Sequence, residues 1–460
     1  MTRRDFLATA AAPLLAAPRL AAATPAPKIV FILCDDLGFG DLACYGSKLR
    51  TPNLDRLAAE GVRFTNFCSA DPVCSPSRAA LLTGRYPTRV GVPRVLMPPD
   101  AAGLNLDETT LADMLKARGY KTMCVGKWHL GRPDEYLPTS RGFDEYFGIP
   151  YSNDMNPRVL MHNTEVIEEP AILESLTARY TEQATKFIAQ SKGSPFFLYM
   201  PHTFPHIPLA ASARFRGKSP EGLYGDVVEE IDWSVGEVMR TLRQHGLDAN
   251  TLVMFTSDNG PWYQGSPGKL RGRKNTTYEG GVREPFIARW TGHIPPARVV
   301  NGLASMMDIV PTVTKLCGSA LPAKPLDGID IWPLLHGDKS SIEREPLLYF
   351  DNWDLQCARM MHWKLHVARH NTGAYMPAPA IGRRSYPLPK PELYNLSNDP
   401  DESYDVAPEN PQIVAQMQAK IAEMLRTFPE PVQKAWAEQM ERKTNPATAV
   451  GAYPQPVPPK

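Results

Sequence analysis

The sequence predicts an α/β fold: a large, mostly parallel β-sheet flanked by helices, followed by a smaller α+β domain. Three observations carry this. Four apolar runs of strand length lack polar alternation, the mark of strands buried on both faces. Helical patterns lie between them, which gives the βα alternation of a parallel sheet. The composition shifts after about Leu335, where His336-Gly337-Asp338-Lys339-Ser340-Ser341 reads as a linker.

In chain order, Thr2-Arg3-Arg4-Asp5-Phe6-Leu7 is a twin-arginine pattern. An Ala/Leu-rich stretch follows to about Leu20, and Ala21-Ala22-Ala23 offers a small-residue cleavage site. Residues 1–23 therefore read as a removable twin-arginine signal peptide. The first strand is Ile29–Cys34, which ends in Asp35-Asp36. Helical patterns cover Asn53–Glu60 and Leu106–Arg118. The second run, Thr122–Val125, ends in Gly126-Lys127-Trp128-His129. A helix is expected over Leu173–Gln190. The third run, Phe196–Met200, ends in Pro201-His202 and then His206. A helix over Gly225–His245 precedes the fourth run, Leu252–Phe255, which ends in Thr256-Ser257-Asp258-Asn259-Gly260. Gly119 and Gly246 fit helix stops. In parallel sheets ligands bind beyond the carboxyl ends of the strands, so all four polar clusters belong on one edge.

The main domain spans 24–335. Short strand candidates at Pro346–Phe350, Cys357–His362 and Lys364–Ala368, then Leu393–Leu396 and a helix near Pro411–Arg426, make a small domain over 344–428. Residues 443–460 read as a Pro-rich disordered tail.

The 460 residues carry a net charge of +1, with 43% apolar and 22% charged residues. That balance excludes nucleic-acid binding through a broad basic surface. No segment after the leader has the roughly 18 consecutive apolar residues of a membrane span, so a soluble mature protein without a membrane anchor is expected. There are seven cysteines with no regular spacing and no CxxC. Cys34 and Cys124, inside apolar runs, read as buried thiols.

Asp35, Asp36, Asp258 and Asn259 are hard oxygen donors on two strand ends, and two such pairs suit Ca²⁺ or Mg²⁺ rather than zinc. A second group is cationic: Arg78, Lys127, His129, His206 and Lys274. Arg78 lies one helical turn beyond Cys74, so both can project from the first turn of one helix, whose N-terminus is itself positive.

Three motifs carry a resemblance. Cys74-Ser75-Pro76-Ser77-Arg78, continuing to Leu82-Thr83-Gly84-Arg85, resembles the maturation signature of the type I, formylglycine-dependent sulfatases. Gly126-Lys127-Trp128-His129-Leu130-Gly131 is similar to a second motif of that family. The stretch Gly272 to Pro285, with Lys274, resembles the corresponding loop of arylsulfatase A and N-acetylgalactosamine-6-sulfatase. Ser152 matches a substrate-side serine of the arylsulfatase A group. The family pattern His-x-Pro-Leu falls on His206-Ile207-Pro208-Leu209, which assigns the role to His206 and leaves His202 structural.

The resemblance implies an alkaline phosphatase-like fold and an exported hydrolase of sulfate monoesters of sugars or aryl alcohols. It implies that Cys74 is converted to formylglycine by a formylglycine-generating enzyme before twin-arginine export to the periplasm or beyond. It implies one divalent cation, Ca²⁺ with Mg²⁺ as the alternative, held by Asp35, Asp36, Asp258, Asn259 and residue 74. Arg78, Lys127, His129, His206 and Lys274 are then catalytic, and Lys127, Ser152, His206 and Lys274 contact substrate. Two other readings stand beside it: a phosphonate or phosphate ester hydrolase of the same superfamily, and a non-catalytic binder of sulfated glycans.

Overall fold

The computed structural model describes residues 26–370 and 385–444. The leader and the tail from residue 445 lie outside the described residues.

The main sheet has 11 strands: β1 (Lys28–Cys34), β2 (Val62–Cys68), β3 (Lys121–Val125), β4 (Glu145–Gly148), β5 (Leu160–His162), β6 (Glu165–Glu168), β7 (Phe196–Pro201), β8 (Thr251–Ser257), β9 (Arg283–Arg289), β10 (Arg298–Val300) and β11 (Ala304–Ser305). Its order is β10-β2-β9-β8-β1-β7-β3-β4-β5-β6, with β11 beside β2. The helices around it are α1 (Pro52–Ala59), α2 (Cys74–Thr83), α3 (Leu111–Lys116), α4 (Leu173–Gln190), α5 (Gly222–Gln244), the single turn α6 (Glu279–Val282), α7 (Ile309–Leu316) and α8 (Trp332–His336).

The four apolar runs are β1, β3, β7 and β8, and they lie side by side as β8-β1-β7-β3, all parallel. The sheet is mixed outside this centre, since β9 runs antiparallel to both β2 and β8, and β5 runs antiparallel to β4 and β6. Successive residues of β1 enter opposite cores. Ile29, Phe31 and Leu33 join one, while Val30, Ile32 and Cys34 join the other. Two apolar faces explain why the run does not alternate with polar residues.

Helix α3 is shorter than the expected Leu106–Arg118. Thr110 caps it, accepting from the Asp113 N–H at 3.1 Å while the Asp113 carboxylate accepts from the Thr110 N–H at 2.9 Å. That reciprocal box starts the helix at Leu111 and leaves the preceding segment irregular. The stretch Gly272 to Pro285 is likewise not all loop, because it holds α6 and the start of β9.

The second sheet is antiparallel: β12 (Leu347–Asp351), β13 (Asp354–Met360), β14 (Trp363–His370) and β15 (Ser385–Asn395). Helices α9 (Pro411–Leu425) and α10 (Glu430–Thr444) follow. Helix α10 begins beyond residue 428 and ends inside the segment read as tail. Val432 and Gln439 of α10 are buried, the latter donating to the Leu355 carbonyl at 3.1 Å. Leu347, Phe350, Ile421 and Phe428 share one hydrophobic cluster with Phe31 and Leu33 of the main sheet. All seven cysteines are free thiols, and Cys34 and Cys124 are buried. Among the described residues no helix is long and apolar enough to cross a membrane.

Candidate active site

Parallel register brings the strand ends together. Cys34 of β1 pairs with Ser257 of β8, so Asp35 and Asp258 emerge side by side. Leu33 pairs with Pro201 of β7, and β7 in turn pairs with β3, which leads into Lys127. Asp36 leaves the sheet with a φ of 68°, in the left-handed region that a non-glycine residue occupies at a cost. The turn points its carboxylate back toward Asn259, whose Nδ2 donates to Asp36 Oδ1 at 2.7 Å.

Helix α2 supplies Cys74 and Arg78. Pro76 is tolerated in its first turn, and Gly84, at φ 69°, closes it by donating to the Ala80 carbonyl. The whole helix is buried. Arg78 donates to Asp258 Oδ2 from Nε at 2.9 Å and from Nη2 at 2.8 Å, and to the Lys127 carbonyl at 2.8 Å. Lys127 Nζ bridges Asp35 Oδ2 at 2.6 Å and Ser152 Oγ at 3.1 Å. Lys274 Nζ meets both oxygens of Asp36 at 2.7 and 2.9 Å. His206 Nε2 lies 3.6 Å from Asp36 Oδ2.

The electrostatics follow from burial among these charges. Burial alone would raise the Asp35 carboxyl, but Lys127, His206, Arg78 and Lys274 hold it well below the usual carboxylate range. Burial, joined by the Asp35 charge, pushes Asp258 up to about 7 despite Arg78. Burial opposes the Lys274 ammonium, yet Asp36 keeps it charged above its ordinary range. Burial raises the Cys74 thiol, with Lys127 and Lys274 pulling the other way.

Two histidine tautomers are fixed by carbonyls, which only accept. His129 sits 2.9 Å from the Leu96 carbonyl through Nε2, so that nitrogen carries hydrogen. Its Nδ1 is buried with no partner. Burial, with Lys127 and Arg78, lowers its pKa well below the ordinary value, so Nδ1 is a bare lone pair. His206 donates from Nδ1 to the Ile207 carbonyl at 2.6 Å, leaving Nε2 as its second functional atom. His202 is fully buried, with no hydrogen-bond partner on either ring nitrogen, and burial brings its pKa down to about 4.

A cavity of about 210 Å³ opens over this cluster, lined by Cys74, Ser152, His206 and Lys274. Val95, Asp154, Met155, Ile207, Trp262 and Asn275 complete it. Sequence reasoning missed these six. Asp154 lies two residues from Ser152 and Asn275 follows Lys274, so adjacency to motif residues is the one signal available, and nothing local marks Trp262. A cavity twice that size, about 430 Å³, runs between Tyr86 and Thr427 away from this cluster.

The donors fit a hard cation. Asp35 Oδ1 and Asn259 Oδ1 are buried side-chain oxygens without a hydrogen-bond partner. Such atoms are costly unless something positive satisfies them. One ligand atom each from Asp35, Asp36 and His206 also fall within 4.8 Å of one another. Oxygen donors are the better match for Ca²⁺ or Mg²⁺, which favours Asp35, Asp36, Asp258 and Asn259 over a set containing the imidazole. Glu284, at the start of β9, was also missed. Both its carboxyl oxygens are buried without partners, and burial, with Asp258, pushes its pKa well above the ordinary range.

Residues 27–319 match the family model described as Sulfatase, and residues 342–454 match one described as the C-terminal region of aryl-sulfatase. Arylsulfatase A of Homo sapiens is 39% identical over an alignment of 482 positions, covering 95% of this chain and 94% of that protein. N-acetylgalactosamine-6-sulfatase of Rattus norvegicus is 41% identical over 388, covering 76% of this chain and 73% of the relative. Among solved structures, a sulfatase from Pseudoalteromonas sp. superposes with a TM-score of 0.78 at 30% identity, covering 88% of this chain and 91% of the other. A phosphonate monoester hydrolase of Agrobacterium radiobacter shares the fold, with a TM-score of 0.62 at 20% identity.

Proposed function

The chain belongs to the sulfatase family and is a sulfuric ester hydrolase, and from that premise we propose a formylglycine-dependent enzyme that removes sulfate from sugar or aryl esters with the help of one divalent cation. The observation that carries it is Cys74, at the buried N-terminus of α2, facing a cavity whose floor is an acidic cluster with two unsatisfied oxygens. Once oxidised and hydrated, residue 74 would supply the hydroxyl nucleophile, and a cation held by Asp35, Asp36, Asp258 and Asn259 would polarise that hydroxyl and a sulfate oxygen. Ca²⁺ is our choice over Mg²⁺.

The rest of the reaction falls to the chain's own residues. Lys127, Lys274 and Ser152 bind sulfate oxygens. Arg78 holds Asp258 and, through the Lys127 carbonyl, the lysine's place on the floor. Lys274 and His206 face the departing alcohol, where negative charge develops and a positioned donor is worth most. Lys274 is an ammonium with one N–H beyond its two bonds to Asp36, so it can hydrogen-bond the departing oxygen as charge develops there. His129 Nδ1 takes the proton of the second hydroxyl, which lets sulfate leave in a second step.

Mass spectrometry of the Cys74 peptide, with metal analysis of the same purified enzyme, tests the proposal. A mass fitting the aldehyde or its hydrate and one bound cation per active chain are expected. A wholly unmodified thiol in fully active enzyme would exclude the nucleophile. Turnover of phosphate or phosphonate esters in preference to sulfate esters would favour the other ester chemistry. The twin-arginine pattern supports export to the periplasm or beyond, after cytoplasmic maturation by a formylglycine-generating enzyme. Fractionation of cells making an Arg3→Lys, Arg4→Lys chain should find it retained inside, and unchanged export would count against the route.

A further inference from the structure

Beside the catalytic cavity lies a second one of about 160 Å³, walled by the Asp71–Val73 and Pro93–Val95 segments, Asn275, and Phe350–Asn352 with His370 from the small sheet. Val95 and Asn275 line both cavities, so the two are contiguous. We propose that this second cavity binds the neighbouring, uncharged sugar ring of a sulfated oligosaccharide while the sulfated ring occupies the first. The inference rests on the sulfatase reading and names its substrate as a glycan rather than a small aryl ester.

The shared wall is pinned to the catalytic machinery. Ser75, next to Cys74, accepts from the Leu96 N–H at 3.1 Å, and the Leu96 carbonyl holds His129. On the other side Asn275 follows Lys274, and its N–H donates to the Pro72 carbonyl at 3.0 Å. Arg94 and Val95 thus stand at a fixed distance from the nucleophile, as a subsite requires.

The chemistry of the wall selects the ligand. Arg94 forms a two-point pair with Asp100, both contacts at 2.9 Å, and His370 Nδ1 lies 3.0 Å from Asp351 Oδ2. Arg94 is already paired with a carboxylate and His370 lies against another, so the wall keeps little unpaired positive charge to hold a second sulfate or a uronate. Paired charges still offer donors and acceptors to hydroxyls, and Asn352 adds an amide. Phe350, Pro93 and Val95 give an apolar surface for the C–H face of a ring. Together the cavities, about 160 and 210 Å³, reach the lower end of the about 300–1,000 Å³ that encloses a small ligand.

The test uses the mature full-length enzyme, nitrophenyl sulfate as reference, and a panel of O-sulfated monosaccharides. Each sugar is paired with the disaccharide that links the same sulfated ring to galactose. For at least one pair the disaccharide should be favoured in kcat/KM by about tenfold or more. Arg94→Ala and Asn352→Ala should cut that advantage below about threefold and leave nitrophenyl sulfate turnover unchanged. No turnover of nitrophenyl sulfate or any sugar by the parent would refute the sulfatase reading itself. Turnover of nitrophenyl sulfate with no preference in any pair would overturn the subsite alone. So would variants that lose both activities together, or an equal gain from a disaccharide whose second ring is sulfated.

Discussion

Two clusters of buried charge lie in this molecule, and they are built to opposite ends. The first is the floor of the proposed active site. The second lies between the two sheets, where Glu279 of α6 meets Arg359 and Lys364 of the small sheet. There Glu279 Oε2 accepts from Arg283 and Arg359, both at 2.6 Å, and Oε1 accepts from Lys364 at 3.0 Å. Glu402 accepts from the Glu279 N–H at 2.6 Å and from His366 at 2.8 Å. Both oxygens of both carboxylates are used. On the active-site floor Asp35 Oδ1 and Asn259 Oδ1 are left bare, Asp36 is backbone-strained, and His129 keeps an unused lone pair. Burial and charge density are alike in the two places. What differs is closure at the oxygens: the Glu279 cluster uses every carboxylate oxygen, whereas the proposed reactive cluster leaves atoms open to a cation, a proton and a substrate.

The largest expected effect sharpens that contrast. Cys74→Ala should remove sulfatase activity by a thousandfold or more, on the order of the loss seen when a covalent nucleophile is deleted. Its thermal midpoint should stay near the parent's, because Cys74 closes no hydrogen bond in the cluster. Steady-state turnover with thermal unfolding checks both. Activity within tenfold of the parent would break the assignment.

Glu279→Ala should behave in the opposite way. It strands Arg283, Arg359 and Lys364 without their carboxylate, so stability should fall by about 3–5 kcal/mol, as when one partner of a buried pair is removed. Turnover per folded molecule should hardly change. Denaturant unfolding beside active-site titration separates the two quantities, and a variant of parental stability with impaired turnover would reverse the roles given to the clusters.

A smaller effect should appear in acid. Burial opposes the Glu279 charge, but Arg283, Arg359 and Lys364 hold its carboxyl well below its ordinary value of 4.5. A depressed carboxylate stabilises the fold fully above that ordinary value, and the contribution fades as pH falls below it. Glu279→Gln imitates the protonated form, so the stability gap between parent and variant should be widest near neutrality and narrow below about pH 4.5. A gap that stays constant from pH 7 to pH 3 would show that Glu279 is not held down by these cations.

The central strands were legible because burial on two faces leaves an uninterrupted apolar run, as in β1 and β8. The short outer strands β5, β6, β10 and β11 are only two to four residues long and gave no such run. Strand β9 was hidden inside a motif whose chemistry drew the reading toward a loop. Helix α10 is largely exposed, so its apolar pattern is thin, and its place depends on Val432 and Gln439 meeting the small sheet.

By itself the sequence determined the parallel centre and put the candidate residues at its strand ends on one edge, since both are local: a residue type at a strand end, and an apolar run before it. Only the tertiary structure showed how differently His206 and His202 are placed. Each histidine follows the same strand, but His206 lines the cavity whereas His202 is fully buried with no hydrogen-bond partner on its ring. The structure alone also fixed the two tautomers, set by carbonyls of Leu96 and Ile207. It brought Val95, Trp262 and Asn275 to the mouth, and it distinguished the bare oxygens of Asp35 and Asn259 from the satisfied ones of Glu279. The physical reason is the same throughout. Hydrogen-bond closure and cavity walls are contacts between residues far apart in the chain, and no local pattern encodes them.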